Sequence, residues 1–114
     1  TQADDFVISE QLISFYLAQV AESKLLHRIF AELFDAEGME IYLKPALAYV
    51  KMGVALDFYT IVVTASRRQE TAIGYRLHRY ANDPTQKYGI VLNPLKTALI
   101  TLSPQDRIIV IAGQ

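Results

Sequence analysis

Cysteine is absent from the 114-residue sequence, and so is tryptophan. The first absence excludes disulfides, thiolate-held zinc and thiol catalysis, and it leaves the cytosol as the plain expectation for compartment. No apolar run approaches the roughly 20 residues that a membrane-spanning helix needs. The first five residues, Thr-Gln-Ala-Asp-Asp, are acidic rather than basic, so no signal peptide is expected. Glycine is scarce: five residues, at 38, 53, 74, 89 and 113, too scattered for a GxGxxG turn or a P-loop. This predicts no Rossmann-type phosphate site, and hence no NAD or ATP held on a helix N-terminus. Excess charge of one sign is also lacking. Eleven Lys and Arg stand against twelve Asp and Glu, which argues against general binding to nucleic acid, since counterion release needs clustered cations.

What is present is apolar: 52% hydrophobic residues with 20% charged, a composition that folds. A chain of this size buries about two-thirds of its unfolded surface, enough for one core and too little for two. Charge is unevenly placed. Residues 1–43 hold eight acids and two bases, net −6; residues 44–114 hold nine bases and four acids, net +5. An acidic arm and a basic body can attract each other within a chain or between copies, although two merely solvated surfaces would look the same.

The hydrophobic spacing predicts helix over 9–35, in two segments. Ser9 suits an N-cap, and Leu12, Phe15, Tyr16, Gln19 and Val20 follow i, i+3, i+4 spacing. Leu26, Ile29, Phe30 and Leu33 repeat it, and Asp35 to Gly38 closes the segment. Ile13 and Leu17 lie off the stripe, so the first helix is apolar around much of its circumference and must be covered on more than one side. Glu40 to Lys44 alternates and reads as a strand closed by Pro45; residues 46–50 are ambiguous, and Met52-Gly53 reads as a turn. Asp57 caps a predicted helix at 58–67 with Phe58, Ile61, Val62 and Ala65 inward, although its β-branched run would also suit a strand. Strands are predicted at 71–78 with Ile73, Tyr75 and Leu77 on one face, at 89–92, and at 98–102. Residues 80–88 read as an exposed loop, and Ser103-Pro104-Gln105-Asp106 as a type I turn. Arg107 to Ala112, with its Ile-Ile-Val-Ile run, belongs mid-sheet. The expected fold is α+β: a helical arm over 1–36, then over 37–114 a small, mostly antiparallel sheet with one packed helix.

Candidate chemistry is thin. Glu32, Asp35, Glu37 and Glu40 could gather oxygen ligands for a hard cation, but the spacing is not that of an EF-hand, and a solvated acidic turn is the simpler reading. His27 and His78 fall in different elements, without metal-ligand spacing. Arg67-Arg68 sits at a helix C-terminus, where cations complement the macrodipole. Gly74 inside a strand marks a bulge or a close backbone approach. Tyr42, Tyr75 and Tyr88 read as core or sheet-face aromatics. No catalytic constellation is visible, so the chain reads as a binding, regulatory or assembly module rather than an enzyme.

Several stretches together resemble one family. Residues 4–45, from Asp-Asp-Phe-Val-Ile-Ser through Gly-Met-Glu-Ile-Tyr-Leu-Lys-Pro, look like the segment that follows the nucleotide-binding lobe in CASTOR/POLLUX-type ion channels and their bacterial relatives. Ala72-Ile73-Gly74-Tyr75-Arg76, Val91-Leu92-Asn93-Pro94 and Asp106 to Ala112 look like the rest of that pattern, and the last two also resemble the C-terminal lobe of RCK (TrkA-C-like) domains. The loop at 80–88 does not match the pattern. The resemblance implies a cytosolic regulatory lobe of a potassium or cation channel or transport system, a cytoplasmic part of a membrane protein. A pore and a nucleotide-binding lobe would lie upstream. Subunits would pair through the helices that precede the lobe. The expected homodimer interface is then Leu12, Phe15, Tyr16, Val20, Leu26, Ile29 and Phe30. No ion- or nucleotide-binding motif carries over, so no cofactor is implied and the ligand is open. The alternative is a small-molecule-sensing dimerisation domain of an unrelated enzyme or regulator.

Overall fold

The structure is a computed structural model that describes residues 6–7 and 39–113. Its centre is the strand the sequence places there. Arg107–Gly113 lies between Met39–Pro45 and Thr71–Arg76, antiparallel to both. In chain order the strands are β1 (Phe6–Val7), β2 (Met39–Pro45), β3 (Leu56–Asp57), β4 (Thr71–Arg76), β5 (Ile90–Leu92), β6 (Leu99–Ile100) and β7 (Arg107–Gly113). The main sheet runs β1-β2-β7-β4-β5, every pair antiparallel; β3 and β6 form a separate two-stranded ribbon. Ile108 to Ile111 are fully buried, which explains a continuous rather than alternating apolar run: both faces of a central strand are covered.

One helix, α1 (Phe58–Arg67), packs on one face. Asp57 begins it as expected, accepting from the Thr60 N–H at 2.9 Å and from its hydroxyl at 2.7 Å. Those two bonds, the hydroxyl first, hold the Asp57 carboxyl below its ordinary range. The β-branched run is therefore helical: the cap and the inward placement of Phe58, Ile61 and Ala65 outweigh β-propensity. These side chains meet Ala72, Tyr75, Ile108 and Val110 of the sheet, together with Ala46, Tyr49 and Leu102. The Phe58 and Tyr75 rings lie 6.3 Å apart, tilted, and burial pushes the Tyr75 phenol up. Ile41, Leu43, Ile109 and Ile111 occupy the opposite face and are buried too.

Four expectations need correction. Ile73 does not share a face with Tyr75 and Leu77. A bulge between Ala72 and Gly74 slips the alternation by one residue, so Ala72 and Tyr75 both face α1. Gly74 is needed there because a Cβ would collide with the Val91 carbonyl oxygen. The strand predicted to reach His78 ends at Arg76: the His78 N–H goes to the Asp106 carboxylate at 2.8 Å, and residues 78–80 turn as a 3₁₀ helix. Tyr88 is no core aromatic; it is exposed, in a left-handed run with Lys87 and Gly89. That run closes a second 3₁₀ segment, Pro84–Gly89, where only an exposed loop was expected.

Ambiguous residues 46–48 also form a 3₁₀ turn, and residues 103–106 turn with the Asp106 N–H on the Ser103 carbonyl at 3.0 Å. The helical arm predicted at 9–35, and the expected interface residues Leu12, Phe15, Tyr16, Val20, Leu26, Ile29 and Phe30, lie outside the described residues. Among the described residues, no helix is long and apolar enough to cross a membrane.

Candidate functional site

The two faces of the sheet carry polar chemistry of different kinds. On the α1 side, Glu70 enters β4 with its carboxylate buried. Lys44 Nζ donates to Oε2 at 2.6 Å, and the Tyr49 hydroxyl donates to Oε1 at 2.5 Å. Arg68 Nε stands 3.7 Å from Oε1, its guanidinium lies 4.4 Å over the Tyr49 ring, and its Nη1 donates to the Ala48 carbonyl at 3.2 Å. Lys44 itself passes over the Tyr42 ring. The group ties β2, the 46–48 turn, the end of α1 and the start of β4 into one unit. Both oxygens of the carboxylate accept hydrogen bonds from these side chains, so the arrangement acts as a fastening. Arg68 thus has the structural part that its place at a helix end implied.

The opposite face ends in a cleft of about 450 Å³. Arg76 of β4 and Arg107 of β7 are register partners across the sheet, and both line it. His78 and Gln105 complete the polar wall, while Leu43, Ala81 and Pro104 supply an apolar one. The Arg76 guanidinium is pinned: Nε donates to the Tyr88 carbonyl at 3.0 Å and Nη2 to the Ala81 carbonyl at 3.2 Å. The left-handed run at 87–89 is what brings the Tyr88 carbonyl round, and it also sets the Gly89 carbonyl on the Leu77 N–H. Asp106, next to Arg107 in sequence, is buried and spent on the backbone, accepting from His78 N–H, Ser103 N–H and the Ser103 hydroxyl.

Of the predicted cation ligands, one falls within the described residues. Glu40 lies in β2 opposite Ala112, and Glu32, Asp35 and Glu37 lie outside the described residues, as does His27. Among the described residues, no group of three or more His, Asp or Glu is placed to hold a metal ion. Sequence reading missed both the Glu70 fastening and the cleft. The fastening joins residues 21 and 26 positions apart, the cleft is lined by residues from Leu43 to Arg107, and the pairing of Arg76 with Arg107 exists only once the strand order is known. One local sign was available: Glu70 is the single acid between Asp57 and Asp83, set directly before a strand.

No protein-family model matches the chain. Similarity to individual proteins is clear. The ion channel CASTOR of Lotus japonicus is 35% identical over 109 residues, covering 93% of this chain and 13% of CASTOR. The ion channel POLLUX of the same plant is 40% identical over 90 residues, covering 76% of this chain and 10% of POLLUX. The chain therefore spans about a tenth of the length of these relatives. Over most of its length it is a homologue of one segment of the CASTOR/POLLUX ion channels, and it belongs with that family.

Proposed function

We propose that this segment is a cytosolic regulatory lobe of a cation channel or potassium-transport system, of the RCK (TrkA-C-like) kind, that pairs with a second copy and couples its conformation to a pore. The observation that carries the reading is homology to named ion channels over 93% of the chain. The α+β lobe and the absence of a membrane-crossing helix among the described residues fit a part that acts on a pore rather than forms it. In this reading a nucleotide-binding lobe and the pore belong to the same full-length protein. The segment over 1–36, with Leu12, Phe15, Tyr16, Val20, Leu26, Ile29 and Phe30, supplies the dimer contact. Each such side chain buried between copies is stabilised by about 1.5–3 kcal/mol, and the acidic arm against the basic body adds steering more than affinity.

Two measurements test the reading. Light scattering on the 114-residue chain is expected to give twice 12.9 kDa, and the pair Leu12→Asp and Phe15→Asp to shift it toward monomer; a wild-type chain monomeric at high micromolar concentration overturns the dimer. Reconstituted full-length protein is expected to pass cations, with open probability changed by Ile109→Asp in the lobe core. Conductance and gating identical to wild type, with the lobe demonstrably unfolded, would sink the regulatory role.

A further inference from the structure

We infer that the cleft beneath the 77–89 loop binds a small soluble organic phosphate, its phosphoryl group on Arg76 and His78 and its body on Leu43, Ala81 and Pro104. The cleft is walled by two guanidiniums and an imidazole, and none of its described lining residues is a carboxylate. Arg107 is engaged within the chain, so Arg76 and His78 make the contact. Arg76 is prepared for this. Two of its five N–H donors hold backbone carbonyls, which fix the plane of the guanidinium and leave three donors for a ligand. A guanidinium already fixed loses less rotamer freedom on binding than a solvated one. The His78 backbone is likewise fixed, by Asp106, while its side chain is exposed at the rim.

A phosphate monoester fits better than a carboxylate, because its charge and three terminal oxygens can engage the arginine fork and the imidazole together. The body is organic because about 450 Å³ far exceeds an inorganic phosphate and falls in the usual range of small-molecule sites. No glycine-rich turn is involved, so the expectation against a Rossmann-type nucleotide site is untouched. The inference goes beyond the channel reading and does not depend on it: an isolated lobe binds the ligand whether or not its parent gates a pore.

Calorimetry on the 114-residue chain at constant ionic strength tests it, with phenyl phosphate as probe and inorganic phosphate and benzoate as controls. Phenyl phosphate is expected to bind at least about tenfold more tightly than either control. Gln105→Glu sets a carboxylate at the exposed rim without touching the core; it is expected to weaken phenyl phosphate at least about tenfold at unchanged melting temperature. Arg76→Gln is expected to remove binding. Equal affinity for phenyl phosphate and benzoate, or a Gln105→Glu protein that binds as wild type does, overturns the inference. Vesicles containing phosphatidate separate a lipid headgroup from a soluble ligand: no co-sedimentation is expected, and co-sedimentation abolished by Gln105→Glu overturns the soluble source.

Discussion

The two faces of the central sheet treat charge in opposite ways. On the α1 side a cation and an anion are brought together: Lys44 meets Glu70 at 2.6 Å, with Tyr49 and Arg68 around the same carboxylate. On the far side two arginines are set opposite one another on neighbouring strands, with a histidine beside them. Like charges directly opposite on a sheet work against folding, whereas a hydrogen-bonded buried pair, once assembled, is costly to break. One face uses charge to fasten; the other holds it at a cleft mouth. The lesson is that composition alone, with its near-balance of Lys and Arg against Asp and Glu, says nothing about where within a fold each charge is placed.

Breaking the fastened side should have the largest effect. Glu70→Ala leaves Lys44 and the Tyr49 hydroxyl without their acceptor, and a loss of about 3–5 kcal/mol in urea unfolding is expected. Lys44→Met together with Glu70→Leu, which removes the buried charges altogether, should be far milder, and a loss as large as that of Glu70→Ala would show that shape rather than charge is at stake. Next comes Gly74→Ala. Its Cβ runs into the Val91 carbonyl, so β5 must part from β4 or the bulge must reform, and about 1–3 kcal/mol is expected to be lost. Because β4 carries both Glu70 at its entry and Arg76 at its end, this substitution should disturb both faces, detectable as a joint shift of Tyr49 and His78 resonances.

Smaller effects come from titration. Asp57 is held below its ordinary range by Thr60, so its contribution is present above the unfolded carboxylate value and is lost as pH falls through the lower folded value. Asp57→Ala should therefore lower the melting temperature by a few degrees near neutrality and flatten the acid limb of stability against pH. Tyr75 works at the other end. Its phenol is raised by burial, so its contribution is complete below the ordinary value of 10 and fades as pH rises through the folded value. Tyr75→Phe should remove that alkaline decline. Smallest of all, Gln105→Glu on the open face should change stability by less than about 0.5 kcal/mol; a larger loss would mean the cleft is part of the core and would erase the contrast between the faces.

How much of this was legible follows from the range of each interaction. The α1 cap, its inward residues, β2 ending at Pro45 and the turn at 103–106 are readable because each is set by neighbours within a few residues, and the mid-sheet position of β7 is readable because its continuous apolar run needs cover on both faces. Gly74 announced a bulge, but the resulting slip of Ile73 off the Tyr75 face depends on β7, more than 30 residues away, and was not visible. The early end of β4 had the same origin, since the Asp106 side chain that captures the His78 N–H comes from a distant turn. Tyr88 reads as a core or sheet-face aromatic within a stretch that reads as an exposed loop; the structure decides for exposure, and the left-handed backbone that holds it there has no sequence signal of its own. The charge network and the cleft needed the strand order before they could exist.

That strand order has a consequence in time. Among the described strands β7 comes latest in sequence, yet it joins β2 to β4. During synthesis at about 5–20 residues per second, residues 39–76 emerge and must wait a few seconds before residues 107–113 arrive to fill the gap between them. In that interval β2 and β4 each present an unpaired edge and an apolar flank, the exposure that favours misassembly. A shortened β7 would leave β2 and β4 with nothing between them, so the joining of the sheet's two halves rests on these seven residues.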